Sequence, residues 1–284
     1  MRRMSDSLRA RIEEYYATVP LLFADAEEFG SLRLFVRRKQ GAPYYGGPSH
    51  AQPTAAEASD VSAGDIARVR ARQRELGVAE AFEWLAEAAP TLRARIAAAG
   101  LTVAERPLMA LDPRRQVSPQ PVPEGVTLRA LRADDPALPA ALALPRLAFA
   151  EAGTAVGPAG RKELSAVAEE LTEDGTVATI RPTIRAGHKT LIAALASDGT
   201  PLAVGHYHPA NGTTEIGGIG TLPTVRRQGL AAAVTTALVT HARGHGVNTV
   251  FLAYAEDAVA RIYSRLGFRP AATTLLIANQ PARM

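Results

Sequence analysis

The sequence predicts an α+β (mixed α/β) protein with a central, mostly antiparallel sheet flanked by helices, preceded by a smaller α/β domain. Three observations carry this expectation. Two turn signals, Asp198-Gly199 and Asn211-Gly212, separate three short apolar runs, the pattern of consecutive antiparallel strands. From Thr214 to Pro270 the chain reads strand, tight turn, helix, strand, helix. Between Ala63 and Leu111 it reads helix, strand, helix, strand, in the same order.

Composition bounds the classes of function. The chain has 284 residues, enough for one large domain or two ordinary ones. Hydrophobic residues make up 47% and aromatic residues only 5%, so the core is built from Ala, Leu, Val and Ile. Zero cysteine excludes disulfides, thiolate catalysis by the chain and Cys-ligated metal. No run approaches the ~20 apolar residues of a membrane-spanning helix. The N-terminus is charged and lacks an apolar signal segment, so the expectation is a soluble cytoplasmic protein with no membrane partner. A net charge of +4, with basic residues dispersed and not interleaved with aromatics, argues against nucleic acid.

Taken in order, Ser7 to Ala17 suits a helix with Leu8, Ile12 and Tyr15 or Tyr16 on one face. Ser31 to Arg38 alternates Leu32, Leu34 and Val36 against arginines, which suits a half-buried strand. Pro43 to Pro48 is a second strand or a turn, and His50 to Ser62 reads as loop. A helix follows from Ala63, with Asp65 in its opening turn and Gly77 at its end. Val78–Leu85 reads as strand, Pro90–Ala99 as helix and Leu101–Leu111 as strand. Placing Gly100 on Gly267 puts Trp84 on Phe251 and Leu108-Met109 on Leu275-Leu276. This is either an internal duplication or a chance likeness of two alternating units. Trp84 suits core packing, and Tyr44 and Tyr45 are candidates to line an acceptor pocket.

Asp112–Gly125 holds four prolines without apolar periodicity and is the expected linker, between domains 1–111 and 126–284. Val126–Leu131 opens the second domain as a strand, and Asp134 or Asp135 caps the next helix, with Pro136 at its start. Leu138–Glu151 and Arg161–Thr172 read as helices around the glycine-rich loop Gly153–Gly160. Thr190–Ser197, Pro201–His208 and Thr214–Leu222 are the three antiparallel strands. His206 and His208 share a strand face, and without a nearby third ligand they read as surface or pocket-lining residues rather than a metal pair.

The stretch around Arg226-Arg227-Gln228-Gly229-Leu230-Ala231 carries the chemistry. It follows an apolar strand ending Gly218-Ile219-Gly220-Thr221 and opens a long helix of small and apolar residues. N–H groups at a helix start have no intrahelical partner and lie at the positive end of the macrodipole. Gly229 and Ala231 let an anion approach that backbone, and two arginines stand beside it, so the stretch reads as a pyrophosphate cradle.

Arg226-x-x-Gly229-x-Ala231 between strand and helix, followed by a second strand and Ala260–Phe268, resembles the acyl-CoA-binding core of the GNAT superfamily of N-acetyltransferases. The resemblance is clear in the C-terminal half. It implies a GNAT-like fold there, with a degenerate GNAT-like copy before it, since Ile96 falls where Tyr263 stands and no Arg-x-x-Gly-x-Ala precedes that copy's helix. It also implies acetyl-CoA as co-substrate, no metal, and an amine acceptor, in a monomer or homodimer. Pantetheine then lies along Ile219, Gly220 and Thr221, and the diphosphate meets Arg227, Gln228, Gly229, Leu230, Ala231 and Ala232, with Arg226 beside them. Glu215, eleven residues before Arg226, is the candidate base, acting through water; its alternative is a strand-edge glutamate in solvent. Tyr263 is the candidate acid for the leaving thiolate; its alternative is a tyrosine packed on the sheet. Glu256 stands where the family often has asparagine, which departs from the pattern. A longer acyl-CoA, or a non-catalytic acyl-CoA-binding module, are the competing functions.

Overall fold

The computed structural model describes residues 6–38, 50–54, 61–151 and 153–279. The chain divides into two compact units, 109–269 and a unit formed by 1–108 together with 270–284. Pro43–Pro48, Tyr44 and Tyr45 lie outside the described residues.

In the first unit, α1 (Asp6–Thr18) leads through a single 3-10 turn at Val19–Leu22 into β1 (Ala24–Phe29) and β2 (Leu32–Arg37). β3 (Ala51–Pro53) comes next, then α2 (Ala63–Glu75), β4 (Glu80–Leu85), α3 (Leu92–Ala98) and β5 (Ala104–Leu111). β1 is acidic on its outer positions and lacks apolar alternation, which hides it from a periodicity reading. β3 is a three-residue strand inside a stretch expected to be loop. α2 starts at a capping box, in which the Ser62 hydroxyl accepts from the Asp65 N–H and Asp65 accepts from the Ser62 N–H. Leu32, Ile66, Phe82, Trp84 and Ile96 form the core of this unit.

The second unit begins at the end of β5, where Met109 and Leu111 are core residues. No helix or strand forms over 112–123, and Val117 and Val122 pack on this unit's core, so the proline-rich stretch is laid against the unit. Next come β6 (Thr127–Ala130), α4 (Leu138–Ala150), α5 (Arg161–Glu173) and α6 (Thr176–Arg185). Neither Asp134 nor Asp135 caps α4, whose N-cap is Ala137 without a side-chain cap bond; Asp135 instead accepts from the Ala137 N–H at 2.9 Å in the turn before the helix. α6 escaped the sequence reading because Pro182 interrupts it, although Asp174 accepts from the Thr176 N–H and Val177 and Ile180 recur at helical spacing on its buried side.

β7 (Thr190–Leu195), β8 (Pro201–Tyr207) and β9 (Thr213–Thr221) follow as an antiparallel set. α7 (Leu230–Gly244), β10 (Thr249–Ala253), α8 (Asp257–Leu266) and β11 (Phe268–Asn279) complete the chain. The pairings repeat between units. β1–β2 and β2–β3 are antiparallel and β3–β4 parallel; β7–β8 and β8–β9 are antiparallel and β9–β10 parallel. A helix connects the parallel strands each time, α2 in one unit and α7 in the other.

One boundary differs from the sequence expectation. Residues 270–284 group with the first unit, because β11 pairs antiparallel with β4 from Thr274/Leu85 to Asn279/Glu80. Leu275 is 2% exposed and belongs to the core around Phe82 and Trp84. Leu275→Ala should therefore destabilise the N-terminal unit by about 2–5 kcal/mol, seen as lowered protection of β4 amides in hydrogen exchange. Unaltered protection there would contradict the assignment of β11 to that unit.

Candidate active site

The parallel pair β9–β10 frames the site. Its register runs through Thr213/Thr249, Thr214/Val250 and Glu215/Phe251. β9 then continues to Thr221, so the backbone edge of Ile216–Thr221 that faces β10 lies outside this pairing. Glu215 stands at the row where the strands part. It is 2% exposed, which removes the alternative of a strand-edge glutamate in solvent.

β9 is also bulged. Val204 opposes Gly220 and His206 opposes Gly217, so Gly218 and Ile219 together face Gly205. Gly218 has φ 61°, and a Cβ there would come within 2.5 Å of the His206 ring. Only glycine fits both demands. Two residues on, a Cβ at Gly220 would come within 2.9 Å of the Ala148 Cβ, so the end of α4 lies directly on the end of β9.

The expected helix start is displaced. α7 begins at Leu230, not at Arg226, because Pro223–Val225 forms a 3-10 turn and Arg227 and Gly229 take left-handed φ values of 70° and 79°. The helix's first intrahelical bond runs from the Ala233 N–H to the Gly229 carbonyl. The N–H groups of Leu230, Ala231 and Ala232 precede it and point out of the helix end. Arg227, Gln228 and Gly229 are exposed, and the nearest atom to a Cβ on Gly229 would be 3.9 Å away. This is an accessible, positively polarised backbone surface beside a guanidinium, suited to a diphosphate.

Arg226 does something else. It is 8% exposed, and its guanidinium donates to the carbonyls of Ala148 at 2.7 Å, Glu151 at 3.0 Å and Ala155 at 3.1 Å. It closes the C-terminal end of α4, whose last carbonyls lack helical partners, and ties the following loop to the turn. Further bonds hold that loop: Gly157 N–H to Pro223 O, Thr224 N–H to Ala159 O, and Gly153 N–H to the Glu256 carboxylate at 3.0 Å. Glu256, the departure from the resembled pattern, thus has a partner in the α4–α5 loop.

Tyr263 lies on α8 at 6% exposure, edge-on to Phe268 with ring centroids 6.1 Å apart. Burial pushes its phenol above the ordinary tyrosine range, so it stays protonated at neutral pH. Its ring is part of the unit's core. Gly267 ends α8 with φ 102°, where a Cβ would run into the Arg115 side chain.

Residues 161–268 match the model of the acetyltransferase (GNAT) family. This chain carries a GNAT acetyltransferase domain. Solved structures extend the likeness in fold. A GCN5-related N-acetyltransferase from Kribbella flavida shares 22% identity at TM-score 0.68, over 97% of this chain and 96% of that one. A tandem GNAT protein from the clavulanic acid biosynthesis pathway shares 16% identity at TM-score 0.55, over 89% and 79%. A GCN5-related N-acetyltransferase from Sphaerobacter thermophilus shares 16% identity at TM-score 0.53, over 89% and 78%. No curated relative matches in sequence. The GNAT family places the chain among the acyltransferases, which move an acyl group from acyl-CoA to an acceptor.

In the GNAT domain the residues expected from sequence follow one path: Glu215, then Ile219, Gly220 and Thr221 at the strand end, then the turn and helix start from Arg227 to Ala232. Tyr263 comes from the next helix. The sequence reading missed the Arg226 latch and the place of Lys189, which stands beside His208. The hairpin register set at Asp198-Gly199 could have found the lysine, because it carries Lys189 to the level of His208. No helix among the described residues is long and apolar enough to cross a membrane. Nor does any cluster of three or more His, Cys, Asp or Glu side chains among them suit a metal ion.

Proposed function

We propose that this chain is an acetyl-CoA-dependent N-acetyltransferase that acetylates a primary amine of a small molecule or peptide. The amine attacks the thioester directly, through a tetrahedral intermediate. The observation that carries this reading is the buried Glu215 at the row where β9 and β10 part, immediately before the bulge and the cradle.

Each part has a physical role. The open edge of Ile219–Thr221 offers strand-like hydrogen bonds to pantetheine, and a backbone N–H there can donate to the oxyanion. Arg227, Gln228 and the N–H groups from Gly229 to Ala232 receive the diphosphate. Arg226 acts one step removed, by holding the α4–α5 loop against the turn. Glu215 takes the acceptor's proton through water, which frees the amine lone pair to attack the carbonyl carbon. The C–S bond then breaks, Tyr263 supplies a proton to the departing thiolate, and the proton lost from the amide nitrogen passes through water to restore the phenol.

Release of CoA thiol, measured across a panel of amines and peptides in wild type, Glu215→Gln and Tyr263→Phe, tests this. Glu215→Gln should lower kcat/KM by about 10²–10⁴-fold and flatten its acid limb, because only the ionised carboxylate accepts the proton. Tyr263→Phe should lower kcat by about tenfold or more while leaving the acetyl-CoA Kd in place. Binding of acetyl-CoA without turnover on any acceptor would sink the enzyme reading.

A further inference from the structure

One side of β9 carries almost no side chains where the strand has left its pairing with β10. Gly217, Gly218 and Gly220 fall in this part, and Gly217, Gly218 and Ile219 are half-buried there. The neighbours of the glycines show which side this is. A Cβ on Gly205 would meet Leu238 and Val234 of α7, so the next residue, His206, points to the other face. A Cβ on Gly220 would meet Ala148 and Leu144 of α4, and one on Gly218 would meet the His206 ring. His206, Gly218 and Gly220 therefore share the α4 side, and the imidazole is one wall of a trough floored by glycine backbone.

His206 and His208 stand together on this face, with ring centroids 5.4 Å apart and the rings edge to face. They differ in what they leave open. His208 is 1% exposed, and its Nδ1 lies 2.8 Å from the carbonyl oxygen of His188, which only accepts, so that nitrogen carries the proton. Its Nε2 faces the Lys189 Nζ at 3.4 Å, so both nitrogens are engaged. His206 is partly exposed between the buried Gly205 and Tyr207, and no hydrogen bond from the described residues engages its ring. Burial of most of the ring, with the Lys189 charge as a smaller cause, holds it well below the ordinary histidine range. The ring is neutral at neutral pH and offers one lone pair.

Amide formation takes two protons from an acceptor that arrives as an ammonium. One leaves before attack, because a protonated nitrogen has no lone pair. The other leaves afterwards, because attack gives the nitrogen a positive charge. A carboxylate that has taken the first is no longer a base for the second. We infer that His206 is a further catalytic residue, which takes the second proton from the attacking nitrogen once that nitrogen is bonded to the carbonyl carbon. The inference rests on the acetyltransferase reading above, with the thioester along Ile219–Thr221. In the step, the N–H bond breaks, its electron pair stays on nitrogen, and the imidazole lone pair binds the proton to give imidazolium. The imidazolium gives that proton to water, which carries it to the phenolate left by Tyr263, and the ring is neutral again. An acceptor that reaches the open strand end from the α4 side meets the His206 ring, whose place is set by His208 and by the Gly218 backbone. A ring whose charged form is disfavoured releases the proton readily and is ready for the next turnover.

The test measures CoA release with the fastest amine of the panel in wild type, His206→Ala and His206→Gln, with acetyl-CoA Kd alongside. His206→Ala should lower kcat by about 10²-fold or more with Kd unchanged. Imidazole added to the buffer should raise the rate of this variant about tenfold or more, because the missing ring leaves space beside Gly218. His206→Gln fills that space without a base and should stay slow at every imidazole concentration. An unchanged kcat in His206→Ala overturns the inference, and so does a loss that imidazole never relieves. If His206→Ala fails to fold, the wild type decides. In protein carrying ¹⁵N-histidine, the His206 ring signals should shift when that amine joins the CoA complex, and unmoved signals overturn the inference. A wild type that turns over no amine sinks the acetyltransferase reading itself, whereas an active wild type with an indifferent His206→Ala sinks this step alone.

Discussion

Arg226→Ala should cost the protein about 3–5 kcal/mol, because one buried guanidinium serves three main-chain carbonyls. Removing it leaves the carbonyls of Ala148, Glu151 and Ala155 without that donor where α4 meets the end of β9. Thermal unfolding should come about 10 °C earlier. Lysine is not an adequate substitute, since a point ammonium cannot span three carbonyls as a planar fork does. Activity at low temperature in the folded fraction should fall through KM for the acceptor more than through acetyl-CoA Kd, because the residue holds the loop and not the phosphates. A large loss of acetyl-CoA affinity with unchanged Tm would instead make Arg226 a direct phosphate ligand.

Gly229→Val should abolish measurable acetyl-CoA binding, with a Kd raised about 100-fold or more in calorimetry. Two effects act together. At φ 79° a β-branched side chain is strongly disfavoured. Its methyls would also stand on the exposed backbone proposed to receive the diphosphate. Gly229→Ala, which carries only the smaller part of each effect, should fall between valine and wild type. Binding left intact in Gly229→Val would remove the cradle from the site. The contrast with Arg226→Ala is diagnostic: one variant loses stability, the other loses cofactor affinity.

The legible parts of this protein were those written in local chemistry. Alternation in Leu32–Val36, the Asp198-Gly199 turn and the small-residue helix after Gly229 were each readable within a short window, and each has its counterpart in β2, the β7–β8 hairpin and α7. The elements that escaped were those whose stabilisation comes from elsewhere. β1 is acidic and pairs because β2 is beside it, and α6 forms despite Pro182 because Val177 and Ile180 are buried. Local propensity is too weak to predict such elements when tertiary contacts decide them.

The candidate site divides along the same line. The stretch proposed to hold a CoA diphosphate was marked in the sequence by small residues and paired arginines after an apolar strand, although the helix starts at Leu230 and not at Arg226. What Arg226 does was not, since its three partners lie 71 to 78 residues away. The place of His206 against Gly218 was hidden likewise, because only the bulged β8–β9 register brings the two together.

The sequence by itself determined the strands and helices with strong local patterns, from β2 and α2 to the β7–β8 hairpin and α7, and the family resemblance, all carried by contiguous residues. Only the tertiary structure decided that β11 completes the first unit, that Glu215 is buried and that Arg226 is a latch. Burial and pairing depend on which distant segments pack together, and free energies of that kind are not local to any stretch of chain.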